Sequence, residues 1–257
     1  MLLQHTSGLP DYEDLMEARE KAGAGGWSPQ RQISDQQVLQ LLAQEEHGKF
    51  PPGSQWEYSN SGYVLLGLAA ARRSGMPFGD FLRARIFAPL KMDRTLLYEK
   101  ARNQVPARAY GHSSRDGGFL ETDQSSTSAT GGDGGVYSNL EDLSKWDDAL
   151  REHTLLAEEE FRRALLPAAL PAGAEQRLAA DLPASLGGRA RSYGFGWFLD
   201  LESPHPLAWH YGDTRGFKTA ILRYLDRDLT VIVLANRGDL DAGALALRAA
   251  AQLEEPQ

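Results

Sequence analysis

At 257 residues, 42% hydrophobic and 24% charged, the chain is long enough for one large core or two modest ones, and too ordinary in composition for whole-chain disorder. Its 35 acidic and 27 basic residues give a net charge of -8, and the basic ones are scattered, so it carries no electrostatic footprint for a nucleic-acid partner. With no cysteine, disulfides, thiolate chemistry and a sulfur-built zinc site are excluded.

Met1-Leu2-Leu3-Gln4 reads as the last turn of an apolar helix, and His5-Thr6-Ser7-Gly8-Leu9-Pro10 as the turn that ends it. Ser34 and Gln37 have the spacing of a capping box, and Val38, Leu39, Leu41 and Leu42 follow near helical spacing, which predicts a helix to about His47. Pro51-Pro52-Gly53 forbids helix and predicts a turn. Tyr63 to Arg73 predicts a helix stopping at Ser74-Gly75, so Tyr58-Ser59-Asn60 falls on a loop immediately before a buried helix. Phe78 to Phe87 predicts another helix, ended by Pro89, and a polar, glycine-rich region runs from Asn103 to Gly135. Ser138 to Glu141 reads as a second capping box opening a helix through about Arg151. Pro167 to Arg191, rich in alanine, proline and glycine, predicts an irregular, mobile insertion within a domain.

The last third changes character. Tyr193 to Leu199 is aromatic and strand-like. Thr219 to Leu225 and Leu229 to Leu234 flank the short polar Asp226-Arg227-Asp228, which predicts a hairpin, and a closing helix follows from about Asp239 to Leu253. Helices before strands, with a helix packed last, predict an α+β fold in which an antiparallel sheet is covered by helices. The expected organisation is one domain over 1–257, helical over about 1–166 and sheet over about 190–257. No stretch approaches about 18 consecutive apolar residues, so no membrane span is expected in the visible chain.

Six histidines form no His-x-x-x-His pair and no metal-ligand spacing with a carboxylate, so neither a metal nor a cofactor is expected. His210, in Trp209-His210-Tyr211-Gly212, suits either a hydrogen-bonded sheet histidine or an acid–base group. Tyr58-Ser59-Asn60 suits either a turn with an aromatic anchor or a site. Gly131-Gly132-Asp133-Gly134-Gly135 lacks the Gly-Lys-Ser/Thr of a phosphate loop and reads as a tight turn. The chain contains neither Gly-x-Ser-x-Gly nor Ser-x-x-Lys.

Taken in order, His5-Thr6-Ser7-Gly8-Leu9-Pro10, Tyr58-Ser59-Asn60-Ser61-Gly62-Tyr63, Gly134-Gly135-Val136-Tyr137-Ser138 before Asp142-Leu143, and His210-Tyr211-Gly212 before a hairpin ending Leu234-Ala235-Asn236-Arg237 resemble the serine beta-lactamase-like family. That group includes class C beta-lactamases, D-alanyl-D-alanine carboxypeptidases and related esterases, and the resemblance runs from Leu2 to about Asp239. It implies a beta-lactamase/transpeptidase-like fold and an acyl-enzyme mechanism on an ester, D-alanyl peptide or lactam. By the resemblance, Tyr58 is the phenolate or proton shuttle beside the nucleophile, and Asn60 holds the substrate amide and orients the lysine. His210 faces the carboxylate or ester end of the ligand from a strand edge, Gly212 leaves room for it, and the Asp213 backbone N–H supplies half of an oxyanion hole. His-x-Gly in place of Lys-Thr-Gly favours an esterase or peptidase over an efficient beta-lactamase.

In the family the Ser-x-x-Lys helix lies some tens of residues before the His-Thr-Ser-Gly-Leu turn, and this chain starts four residues before that turn. The expectation is therefore an N-terminally truncated domain whose Met1 is not the native start and which is inactive by itself. The alternative is a non-catalytic pseudoenzyme or ligand-binding fragment on the same fold. The implied partner is a small-molecule or peptide substrate, with no nucleic acid. A periplasmic or secreted location follows if a signal peptide was lost with the N-terminus, and a cytoplasmic one otherwise.

Overall fold

The computed structural model describes residues 1–177 and 182–254. The chain divides into two compact units, each assembled from three stretches of sequence: Met1–Arg108 with Ser125–Trp146 and Ala169–Arg177, and Ala109–Gln124 with Asp147–Ala168 and Leu178–Gln257.

The first unit is mainly helical. Leu2–Gln4 forms a single 3-10 turn that ends at His5 in the left-handed region, φ 54°, so the opening segment closes a turn, as its sequence suggests. A helix over Tyr12–Lys21 was not expected. Asp11 caps it by accepting the Glu13 N–H at 2.9 Å, and Tyr12 and Met16, one turn apart, are buried. The Ser34 capping box is present, but its helix covers Asp35–Leu42 and stops short of His47. Beyond Leu42 the run Gln44-Glu45-Glu46-His47 has no apolar residue to bury, and the last turn has nothing to pack. Asn60–Ser74 is a helix closed by Gly75 at φ 69°, as the sequence requires, but it starts three residues before the expected Tyr63, so that Asn60 is its first residue and not part of the loop. Tyr12, Met16, Ile33, Val38, Leu41 and Val64 form the core of this unit.

Other elements differ from the sequence expectation. Phe78–Leu82 is α-helical, but Arg83–Phe87 widens into a π turn, with the Ala88 N–H reaching back to Arg83 O at 2.9 Å. The helix Leu140–Arg151 is capped by Asn139, whose Oδ1 accepts the Asp142 N–H at 2.8 Å, while the Ser138 hydroxyl turns to Thr95 at 2.7 Å. Gly132, in the glycine-rich stretch, also allows a close approach: a Cβ there would lie 2.2 Å from the Tyr63 carbonyl oxygen. Of the supposedly irregular segment, Gln176–Arg177 pairs in parallel with Trp56–Glu57 and Ala184–Gly187 is a short helix, while residues 178–181 lie outside the described residues.

The second unit is a five-stranded antiparallel sheet in the order Leu229–Ala235, Phe217–Tyr224, Leu207–Thr214, Phe198–Asp200, Ser192–Tyr193. The expected single strand over Tyr193 to Leu199 is two short ones, joined by a turn closed by the Gly194 N–H to Trp197 O at 2.8 Å. The hairpin pairs Tyr224 with Leu229, so its loop is Leu225 to Asp228. The closing helix is Ala242–Glu254, with Ala242, Ala246 and Ala250 buried, and it packs on the strands 217–224 and 229–235. Small residues one turn apart let the helix lie close to the sheet. A separate hairpin pairs His112–Arg115 with Gly118–Glu121 across Asp116-Gly117. Arg223 and Asp147 form a buried ion pair in this unit, extended by Arg151 at 2.7 Å and the Thr230 hydroxyl at 3.1 Å. The Arg223 guanidinium lies over the Phe161 ring at 5.5 Å.

Helices with an antiparallel sheet confirm the α+β expectation. No helix among the described residues is long and apolar enough to cross a membrane.

Candidate active site

Tyr58 and Asn60 lie in the first unit, where Trp56–Glu57 gives way to the helix Asn60–Ser74. The turn is held from both sides by residues of the opening segment. His5 is 2% exposed, and its Nδ1 accepts the Ser59 N–H at 3.1 Å. That bond leaves Nδ1 unprotonated in this arrangement. The His5 ring lies against Tyr58, with centroids 4.2 Å apart, and its own carbonyl accepts the Glu57 N–H at 3.1 Å.

Asp11 holds the other side. One carboxylate oxygen caps the helix Tyr12–Lys21, and the other accepts the Asn60 N–H at 2.6 Å. Burial pushes the Asp11 carboxyl above the usual range, while the N–H groups of Glu13 and Asn60 pull against that rise. Next along, the Ser61 hydroxyl accepts the Tyr12 N–H at 2.8 Å. The backbone from Tyr58 to Ser61 is thus pinned at Ser59, at Asn60 and through the Ser61 side chain. Beneath it, the Tyr12 hydroxyl donates to Asp133 at 2.8 Å and lies 3.2 Å from the Thr130 hydroxyl. Burial raises the Asp133 carboxyl to about 6.

His210, Gly212 and Asp213 lie along the strand Leu207–Thr214 of the second unit, paired with Ile221, Thr219 and Lys218 respectively. His210 Nε2 is 3.0 Å from the hydroxyl of Tyr193, which is 2% exposed. Its Nδ1 meets the Tyr211 peptide, with the N–H at 3.0 Å and the carbonyl at 2.8 Å. Burial lowers the His210 pKa, against an upward pull from the Tyr211 carbonyl, so the ring is neutral near pH 7. A Cβ on Gly212 would come 2.4 Å from the Thr219 hydroxyl oxygen, so a side chain there would force the Thr219 hydroxyl to turn away. The Asp213 side chain is ion-paired with Lys218.

Each half is therefore built within its own unit. Sequence reading named Tyr58, Asn60, His210, Gly212 and Asp213 but missed their supports, His5, Asp11 and Tyr193. His5 stood in a quoted motif, Asp11 at a helix start and Tyr193 in a strand-like run, and nothing local tied Asp11 or Tyr193 to the site. Among the described residues no cluster of His, Asp and Glu could hold a metal ion.

A family model described as Beta-lactamase matches residues 1–255. Penicillin-binding protein 4* of Bacillus subtilis is 31% identical over 252 residues, covering 92% of this chain and 50% of that protein. A D-aminopeptidase of Cereibacter sphaeroides is 27% identical over 255 residues, covering 97% of this chain and 44% of that protein. The chain thus spans about half the length of the curated relatives it matches. Among solved structures, a penicillin binding protein from Bacillus halodurans superposes with a TM-score of 0.74 at 25% identity, covering 97% of this chain and 71% of that one.

Proposed function

Since the chain belongs to the beta-lactamase family, we propose that it is the Tyr-x-Asn and His-x-Gly portion of a serine hydrolase that forms an acyl-enzyme, its nucleophile carried by polypeptide outside these 257 residues. The observation that carries this reading is the Tyr58-Ser59-Asn60 turn, pinned by His5 and Asp11 at the start of a buried helix. A group meant to move a proton works best from a fixed position, and the bonds to Glu57, Ser59 and Asn60 fix the backbone that carries Tyr58.

The chemistry divides as follows. A serine hydroxyl becomes an effective nucleophile when a neighbouring base takes its proton, and a tyrosine with a free pKa near about 10 can serve when a close lysine lowers it. Tyr58 is that shuttle and Asn60 the side chain that orients the lysine and the scissile amide. The Asp213 N–H stabilises the oxyanion, an effect worth roughly 3 to 4 kcal/mol per donor. The neutral His210 lies toward the ester or carboxylate end of the substrate. A D-aminopeptidase among the relatives supports a D-amino-acid amide or ester as substrate over a lactam, in line with His-x-Gly in place of Lys-Thr-Gly.

The test is covalent labelling with a fluorophosphonate or a fluorescent penicillin. The 257-residue chain alone is expected to take no stoichiometric label, and a version extended upstream in its own reading frame to a Ser-x-x-Lys is expected to take one equivalent. Labelling of the short chain at Ser59 or Ser61, or an extended chain that stays unlabelled, would refute the proposal. A second reading, a non-catalytic ligand-binding domain, is favoured by one fact: these 257 residues contain no Ser-x-x-Lys.

A further inference from the structure

The geometry points to Tyr193 as a positioning residue that fixes the His210 ring, so that His210 serves the site as a held, neutral imidazole and not as the base. This rests on the reading of His210 as part of an acyl-transfer site.

The first observation is that both ring nitrogens are engaged within the second unit. Nε2 is 3.0 Å from the Tyr193 hydroxyl, and Nδ1 meets the Tyr211 peptide at 3.0 Å to nitrogen and 2.8 Å to oxygen. Either neutral tautomer is satisfied. With Nδ1 protonated, it donates to the Tyr211 carbonyl and Tyr193 donates to Nε2; with Nε2 protonated, it donates to Tyr193 and the Tyr211 N–H donates to Nδ1. A general base needs a lone pair aimed at the proton it removes. In both tautomers the lone pair of the unprotonated nitrogen already accepts a bond from the protein.

The second observation is how Tyr193 itself is fixed. It pairs with Phe198, which pairs with Trp209, and the Phe198 ring stacks on Trp209 with centroids 4.5 Å apart. Tyr193 meets Phe198 edge-on at 4.8 Å. Its backbone carbonyl accepts the Ala168 N–H at 2.9 Å. The phenol therefore reaches His210 from a locked ring and main chain, which is how a supporting group sets the orientation of the one it touches.

The experiment needs neither nucleophile nor substrate. In protein labelled with nitrogen-15 histidine, the six histidines give separate imidazole signals, and His210→Gln assigns the pair from His210 by its disappearance. In the wild type the signals report which tautomer these two contacts favour. Tyr193→Phe, which keeps the ring, is expected to shift Nε2 while the amide spectrum elsewhere is unchanged. A 3-fluorotyrosine at position 193 keeps the hydroxyl, makes it a stronger donor and a weaker acceptor, and is expected to move Nε2 as well; it decides the matter if the phenylalanine variant fails to fold. An Nε2 signal unmoved by the fluorotyrosine overturns the inference. That result leaves the acyl-transfer reading standing, and an extended chain that refuses covalent label sinks that reading while leaving the hydrogen bond intact.

Discussion

Asp133 offers the sharpest test of the energetics. Its Oδ2 accepts the Tyr12 hydroxyl at 2.8 Å, and its Oδ1 has no hydrogen-bond partner among the described residues. Burial raises its pKa from 3.8 to about 6, roughly two units, and at about 1.36 kcal/mol per unit this is about 3 kcal/mol. The sign follows from proton counting. The folded state binds the proton more tightly than the unfolded one, so stability is greatest below about pH 4, falls as the pH rises to about 6, and is flat above that. Asp133→Asn removes the titration. The variant should therefore gain about 3 kcal/mol relative to the wild type between about pH 3.5 and 7, read by urea unfolding at each pH. Any fixed cost of burying an amide is the same at both ends and cancels. A stability difference, variant minus wild type, that stays constant with pH or falls as pH rises would refute the reasoning.

In the second unit, Asp147→Ala strands the Arg223 guanidinium, which is 5% exposed, and should cost about 3 to 5 kcal/mol by chemical denaturation. Arg151→Ala, which removes only a partly exposed member of the same network, should cost less than about 1 kcal/mol. Asp11→Ala removes both the cap of the helix Tyr12–Lys21 and the acceptor of the Asn60 N–H. A loss of about 1 to 2 kcal/mol is expected, with amide exchange accelerated at both Glu13 and Asn60; acceleration at Glu13 alone would show that Asp11 does not hold the Tyr58–Asn60 turn.

Much of the fold was legible because its signals are local. Ser34 with Gln37, and Gly75 after an apolar helix, are chemistry confined to a few residues, and the strands around Asp226 carry their own β-branched pattern. Other local signals were present but passed over. Asp116-Gly117 is a strong hairpin dipeptide, with φ of 50° and 79°, lost in a polar, glycine-rich stretch whose strands bury little. Asp11 before Tyr12, Leu15 and Met16 has the form of a helix start, masked by Pro10 and the preceding turn. The supports of the site were illegible for a different reason. Ser59 finds His5, Asn60 finds Asp11, and His210 finds Tyr193 across separations that no propensity or periodicity encodes, so only the folded chain brings them together.

The parallel pairing of Trp56–Glu57 with Gln176–Arg177 has a consequence for synthesis on the ribosome. The two partners are roughly 120 residues apart, a loop whose closure entropy must be met before the pairing contributes. At about 5 to 20 residues per second, the ribosome delivers the second strand many seconds after the first has emerged. During that interval Trp56 and Glu57 lack their parallel partners, Gln176 and Arg177, and this pairing closes only after most of the chain has emerged.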